Sequence, residues 1–325
     1  MKLKKFKYIL IVHGEPNSVF FEIFLKCLKK NRKFKSPIII VGSKDLLSLQ
    51  MKQLNFKKKI LNIDLKKIEY EKLNNNSINI IDIKYNQKKA FEKISPKSKF
   101  YIEKCFNTAF NLLRRGFSDR LISGPISKEN FLDKKFLGIT EYLGQNFKVK
   151  NLAMLIYNKK LSVCPITTHL PLKSVNREIN KKNIVQKIKL IKNFYEKRFK
   201  INPRIGVLGL NPHCESIDKY NEDKQIILPT INYLKSLKYK ISGPFSADTC
   251  FMKNNRSKFD VIIGMYHDQV LTPIKTIFEY DAINITLGLP FIRVSPDHGP
   301  NEKMLGKNIS NPESLMKAIK FLDKN

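Results

Sequence analysis

The chain has 325 residues, 42% hydrophobic and 27% charged, with a formal net charge of +33. That is a globular mix, long enough for two domains with separate cores. No apolar run approaches the roughly 18 residues of a membrane-spanning helix, so neither a bilayer span nor a membrane partner is expected.

The basic excess raises the question of nucleic acid. The lysines, however, are spread over nearly every segment alongside many Asn and Ile residues. They read as solvated faces rather than a binding stripe, and no nucleic-acid partner is expected. The charge still helps draw in an anionic substrate. The N-terminal KLKKFKYILIV has the order of a secretory leader. Its apolar core is short, though, and His13-Gly14-Glu15-Pro16 follows where small cleavage-site residues belong. A cytoplasmic location is therefore expected. The five cysteines (Cys27, Cys105, Cys164, Cys214 and Cys250) form no CxxC unit and read as reduced, mostly core residues; Cys214 stands out beside His213.

In chain order, residues 8–12 form a short apolar run, followed by a helical stretch over about 17–30 and a second strand-like run over 37–41. Strand–helix alternation of this kind predicts a parallel sheet covered by helices. Residues 52–99 are rich in Lys and Asn and read as a solvent-exposed flank with one strand-like piece, 78–83. A helix is predicted over 96–115, with Ser95 as cap, Pro96 in the first turn and Gly116 as the stop. Ile102, Phe106, Ala109, Phe110 and Leu113 share one of its faces. Leu121-Ile122-Ser123 and the loop Gly124-Pro125-Ile126-Ser127-Lys128 follow.

The second half repeats an apolar strand followed by a polar loop carrying a histidine. LSVCPITTHL ends in His169, RIGVLGLNPHCE contains His213, and DVIIGMYHDQ contains His267. A helix over about 181–198 separates the first two, and a last helix starts near Asn311-Pro312. In open α/β sheets ligands bind just beyond the carboxyl ends of strands. Imidazoles from three strand ends could converge there on a borderline divalent ion. Taken one at a time, each histidine reads more readily as a structural loop residue; the pattern repeated three times brings a shared site level with that reading. Lys275, Asn284 and Arg293 occupy the same region of the chain and suit an anionic substrate, and Asp248 could orient a ligand or a histidine.

The segments GPISK, GITEYL, TTHLPL, GLNPH, GPFSADT, MYHDQ, TLGLPFIR and SPDHG occur in this order. Together they resemble the 4-hydroxythreonine-4-phosphate dehydrogenase family of vitamin B6 biosynthesis, densely over residues 120–300 and loosely elsewhere. The resemblance implies two α/β/α domains like those of isocitrate and isopropylmalate dehydrogenases. The first would be formed by both chain ends (1–128 plus 300–325), and the second (129–299) would carry the metal and substrate loops. It implies a homodimer with the active site at the subunit interface. His169, His213 and His267 would bind zinc, magnesium or cobalt, with one ligand coming from the partner subunit.

Thr140, Lys275, Asn284 and Arg293 would hold the small phosphorylated substrate. NAD, with NADP as the alternative, would accept the hydride, although the chain, like the family, has no GxGxxG fingerprint. The implied reaction oxidises 4-phosphooxy-L-threonine to a β-keto acid that decarboxylates to 3-amino-2-oxopropyl phosphate. Lys275, Asp248 and Asp268 are the candidate proton acceptors. His298, in SPDHG, would lie near the cofactor.

The chain departs from the family pattern at four places. Ile139 replaces the histidine of GHTE, which removes a charge-assisted hydrogen bond of about 1.5–3 kcal/mol to the substrate phosphate. HGEPNSVFFE stands for GDPAGIGPE, Pro300-Asn301 follows SPDHG instead of Thr-Ala, and NPHCE stands for NPHAGE. Two other readings stay open. One is a dehydrogenase of a related hydroxy acid such as threonate or erythronate phosphate. The other is a non-catalytic basic binding protein derived from the enzyme.

Overall fold

In the computed structural model, residues 8–31, 33–68, 73–132, 135–296 and 299–323 are described. Most of the leader-like N-terminus, and His298, lie outside them. The chain lays down β1 (Ile9–Val12), β2 (Ile38–Gly42), β3 (Ile60–Asn62), β4 (Ile78–Asp82) and β5 (Arg120–Ser123). It continues with β6 (Ala153–Tyr157), β7 (Ser162–Pro165), β8 (Ile205–Leu208), β9 (Ile241–Phe245), β10 (Val261–Gly264) and β11 (Ile283–Leu287), and returns with β12 (Ile292–Pro296). Two compact units result, Met1–Phe136 with Pro290–Asn325, and Leu137–Leu289. Arg293, placed by the expected boundaries with the second unit, falls in the first.

The first unit orders its strands β3-β4-β2-β1-β5-β12, all parallel. Strands covered on both faces read as unbroken apolar runs, and β1 and β2 are buried at every position. The covering helices bury apolar stripes: Phe20, Phe21 and Phe24 in Phe20–Lys30, Phe106 and Phe110 in Lys99–Arg114, and Leu315, Ile319 and Leu322 in Glu313–Asp323. Residues 52–99 are not a mere flank, because β4 within them lies buried between β2 and β3.

The helix expected from Pro96 begins as a 3₁₀ turn, Pro96–Ser98. The Ser95 side chain makes no capping bond, and its carbonyl accepts from Ser98 instead. Gly116, at φ +72°, ends the helix as expected. Phe117 N–H donates to Leu112 O and Gly116 N–H to Leu113 O, the paired bonds of a Schellman stop.

Beyond β1 and β5 two loops pack backbone to backbone. A Cβ on Gly124 would lie 2.0 Å from His13 O, and one on Gly14, at φ +80°, 2.3 Å from Pro125 O. His13 is buried here, stacked on Phe21 with ring centroids 3.6 Å apart. The Tyr101 hydroxyl accepts from Ser43 N–H and so turns its own proton to His13 Nδ1, 2.9 Å away. Burial pushes the imidazole pKa down to about 3, so His13 is a neutral packing residue.

The second unit orders its strands β11-β6-β7-β10-β8-β9, antiparallel across β11-β6-β7 and parallel from β7 to β9. The carboxyl ends of β7, β10 and β8 are therefore neighbours, and hydrogen bonds tie their exits together. Thr167 donates through N–H and Oγ1 to Met265 O, at 3.2 and 2.8 Å. Gln269 accepts from Met265 N–H at 2.7 Å and donates to Gly209 O at 2.8 Å. The turn after β8 places His213 (φ 53°) and Cys214 (φ 60°) in the left-handed region, which costs about 1–2 kcal/mol for each non-glycine residue. Asp223, 1% exposed, offsets this by accepting from Leu210 N–H (2.7 Å), Asn211 N–H (3.1 Å) and Asn211 Nδ2 (3.0 Å).

Two outcomes test this architecture. Gly124→Ala should destabilise the first unit by about 1–3 kcal/mol or more, read as a lower thermal midpoint, because its methyl group meets backbone that cannot move aside. Asp223→Ala should cost about 1–3 kcal/mol in chemical denaturation, because it strands the two amide donors of the β8 exit.

Candidate active site

His169 lies in the loop after β7, and His267 opens the helix His267–Phe278 after β10. Because β7 and β10 are adjacent and their exits are bonded together, the two rings meet, with centroids 5.6 Å apart and planes at 39°. Asp268 Oδ1 lies 2.7 Å from His267 Nδ1. A carboxylate only accepts, so Nδ1 carries a proton, and in the neutral ring the lone pair is on Nε2. Asp268, with its side chain 80% exposed, therefore serves His267 as an orienting partner.

His213 is exposed on the left-handed turn beyond β8. Among the described residues no group of three His, Cys, Asp or Glu side chains gathers closely enough to hold a metal ion. Within one chain the donor set is thus two imidazoles. That set fits a borderline divalent ion as part of a shell and leaves positions to be filled from elsewhere.

Lys275, Asn284 and Asp248 are not drawn to that pair. Lys275 is exposed eight residues along the helix from His267, about 12 Å by helical rise. Asn284 pairs with Ile156, which pairs with Val163, so it stands level with the middle of β7 rather than with its exit. Its Oδ1 is buried with no hydrogen-bond partner among the described residues. Asp248 is exposed beyond β9, three strand spacings or about 14 Å from β7.

Thr140 is buried in the first turn of helix Ile139–Asn146, which starts after Gly138. Arg293, in the first unit, is 2% exposed. Its Nε and one terminal nitrogen donate to Ser123 Oγ at 3.1 and 2.6 Å, and burial lowers its pKa to about 10. The first unit also holds a cleft of about 830 Å³ whose lining includes Ile126, Lys128, Glu129, Pro300, Glu302 and Lys303. That volume suits a ligand of cofactor size.

Sequence reasoning missed Thr167, Glu141, Gln269 and Asp223. Gln269 and Glu141 sit inside the MYHDQ and GITEYL segments and carried that much signal. Asp223 carried none, because its role depends on a turn 12 residues earlier.

A family profile described as pyridoxal phosphate biosynthetic protein PdxA matches residues 33–322. The 4-hydroxythreonine-4-phosphate dehydrogenase of Sulfurihydrogenibium sp. strain YO3AOP1 is 37% identical over 323 residues, covering 96% of each chain. The D-threonate 4-phosphate dehydrogenase of Salmonella typhimurium is 29% identical, covering 97% of this chain and 98% of that one. The solved 4-hydroxythreonine-4-phosphate dehydrogenase of Klebsiella pneumoniae superposes with a TM-score of 0.82 at 27% identity, covering 97% and 98%. A β-decarboxylating dehydrogenase of Thermococcus kodakarensis shares the fold alone, with a TM-score of 0.50 at 11% identity and coverage of 97% and 81%. The α/β architecture is accordingly that of the solved 4-hydroxythreonine-4-phosphate dehydrogenase and of the β-decarboxylating dehydrogenase, and the chain belongs to the PdxA family of pyridoxal phosphate biosynthetic proteins.

Proposed function

We propose that this protein is a divalent-metal-dependent, NAD-linked dehydrogenase of pyridoxal phosphate biosynthesis. Its substrate is 4-phosphooxy-L-threonine, and its product is a β-keto acid that loses carbon dioxide to give 3-amino-2-oxopropyl phosphate. The single observation that carries this is the His169–His267 pair at adjacent strand exits, in a chain whose relatives bear the dehydrogenase name. When bound, a divalent ion supplies Lewis acidity at the substrate hydroxyl, and nicotinamide supplies the hydride acceptor.

The chain's own residues do the rest. His169 and His267 offer imidazole nitrogens at the reacting end. Thr140, Lys275, Asn284 and Arg293 hold the phosphorylated substrate and fix its orientation. Lys275 and Asp248 are the proton acceptors left, since Asp268 is engaged with His267. NAD, with NADP the alternative, would be seated in the cleft that Lys128 and Lys303 line together with Glu129 and Glu302, which is large enough for it.

A homodimer with the site at the subunit interface is part of this reading. One chain separates the histidine pair from Lys275 by about 12 Å and leaves His213 apart from the pair, so a second copy would complete the shell. Leu172, 71% exposed near His169, and Ile217, fully exposed near His213, are large apolar side chains that a second copy would cover. A second substrate reading, a threonate-type phosphate, is favoured by Ile139 and by the Salmonella typhimurium relative.

Purified protein given zinc, magnesium or cobalt, NAD and 4-phosphooxy-L-threonine should generate NADH. His169→Ala and His267→Ala should each lose bound metal and at least about 100-fold in kcat/KM, in keeping with the loss of a metal ligand. Silence with every ion would overturn the reading. Turnover should be faster on the amino acid phosphate than on D-threonate 4-phosphate, and the reverse order would assign the chain to the hydroxy-acid branch.

A further inference from the structure

Glu141 has no part in the reading above. It stands in the first turn of helix Ile139–Asn146, with Thr168 Oγ1 at 3.5 Å from its Oε1. Its Oε2 is buried and takes no hydrogen bond from any described residue. Keeping an unpartnered carboxylate oxygen out of water works against folding, so its presence calls for another role. Gly138 shows where that oxygen lies. A Cβ built there would sit 3.2 Å from Glu141 Oε2 and 3.0 Å from both Nδ1 and Cε1 of His169. The carboxylate and the Nδ1 edge of the imidazole thus lie over one glycine, whose missing side chain keeps the space open. The other histidine of the pair already has this arrangement, with Asp268 Oδ1 at 2.7 Å from His267 Nδ1.

We infer that Glu141 is a positioning residue for His169. A small turn of the ring lets Nδ1–H donate to Glu141 Oε2, which leaves Nε2 as the lone pair for a divalent ion. The inference rests on the metal reading above. Each imidazole of the pair then has a carboxylate behind it, which sets the tautomer and raises the basicity of the ligating nitrogen. Asp268 does this from solvent, and Glu141 does it through an oxygen that is itself buried, on a side chain only partly exposed.

The test uses Glu141→Leu, which fills similar volume and removes the unpartnered oxygen. The folding midpoint should stay level or rise. Zinc affinity, measured on the full chain by chelator competition, should fall about 10–100-fold. In metal-free protein the ¹⁵N signals of His169 should move from the Nδ1–H toward the Nε2–H tautomer. Glu141→Gln, which keeps an acceptor oxygen, should recover most of both. Unchanged zinc affinity with an unchanged His169 tautomer would overturn the inference, as would a lower folding midpoint with the tautomer unmoved. If wild-type protein binds no zinc, the metal reading fails, and the tautomer shift alone decides the role of Glu141.

Discussion

The candidate site depends on hydrogen bonds that lash together the exits of β7, β10 and β8. Thr167 joins the first to the second through Met265 O, and Gln269 joins the second to the third by accepting from Met265 N–H and donating to Gly209 O. Backbone groups at strand ends have lost their ladder partners and must find others. Here the substitutes come from the same short segments that carry the histidines. Satisfying the backbone and bringing His169 to His267 are therefore one structural act.

That arrangement leaves polar groups without partners inside one chain. Asn284 Oδ1 and Glu141 Oε2 are buried with no hydrogen bond among the described residues. Buried acceptors in this state are rare and work against stability. Both lie in the unit that carries the histidines, and Glu141 Oε2 is the one that shares the open space over Gly138 with His169 Nδ1. Arg293 is the contrasting case. It is buried, it donates to the neutral Ser123 hydroxyl, and burial draws its pKa down to about 10, so an anion nearby would favour its charged form.

Several elements were legible because the signal was local. The apolar runs of β1 and β2, the Gly116 stop and the three strand-then-histidine repeats depend on residues close together in the chain. The strand-like run within residues 52–99 was legible, but its burial was not, because that comes from pairing with β2 and β3 rather than from its Lys- and Asn-rich neighbours. Ser95 was misread because a 3₁₀ turn intervened before the helix proper. Asp223 and Gln269 were overlooked because nothing in their neighbours states which backbone they will reach.

The sequence alone determined the alternation of strands and helices, the family, and the residue types able to hold a divalent ion and a phosphate, since these follow from hydrophobic period and from motif chemistry. Only the tertiary structure decided which of these residues meet. Strand order made β7 and β10 neighbours and brought His169 to His267, while helical rise carried Lys275 away and the sheet register set Asn284 below the exits. Strand pairing is a long-range choice made by burial and backbone hydrogen bonding, and no local stretch of chain encodes it.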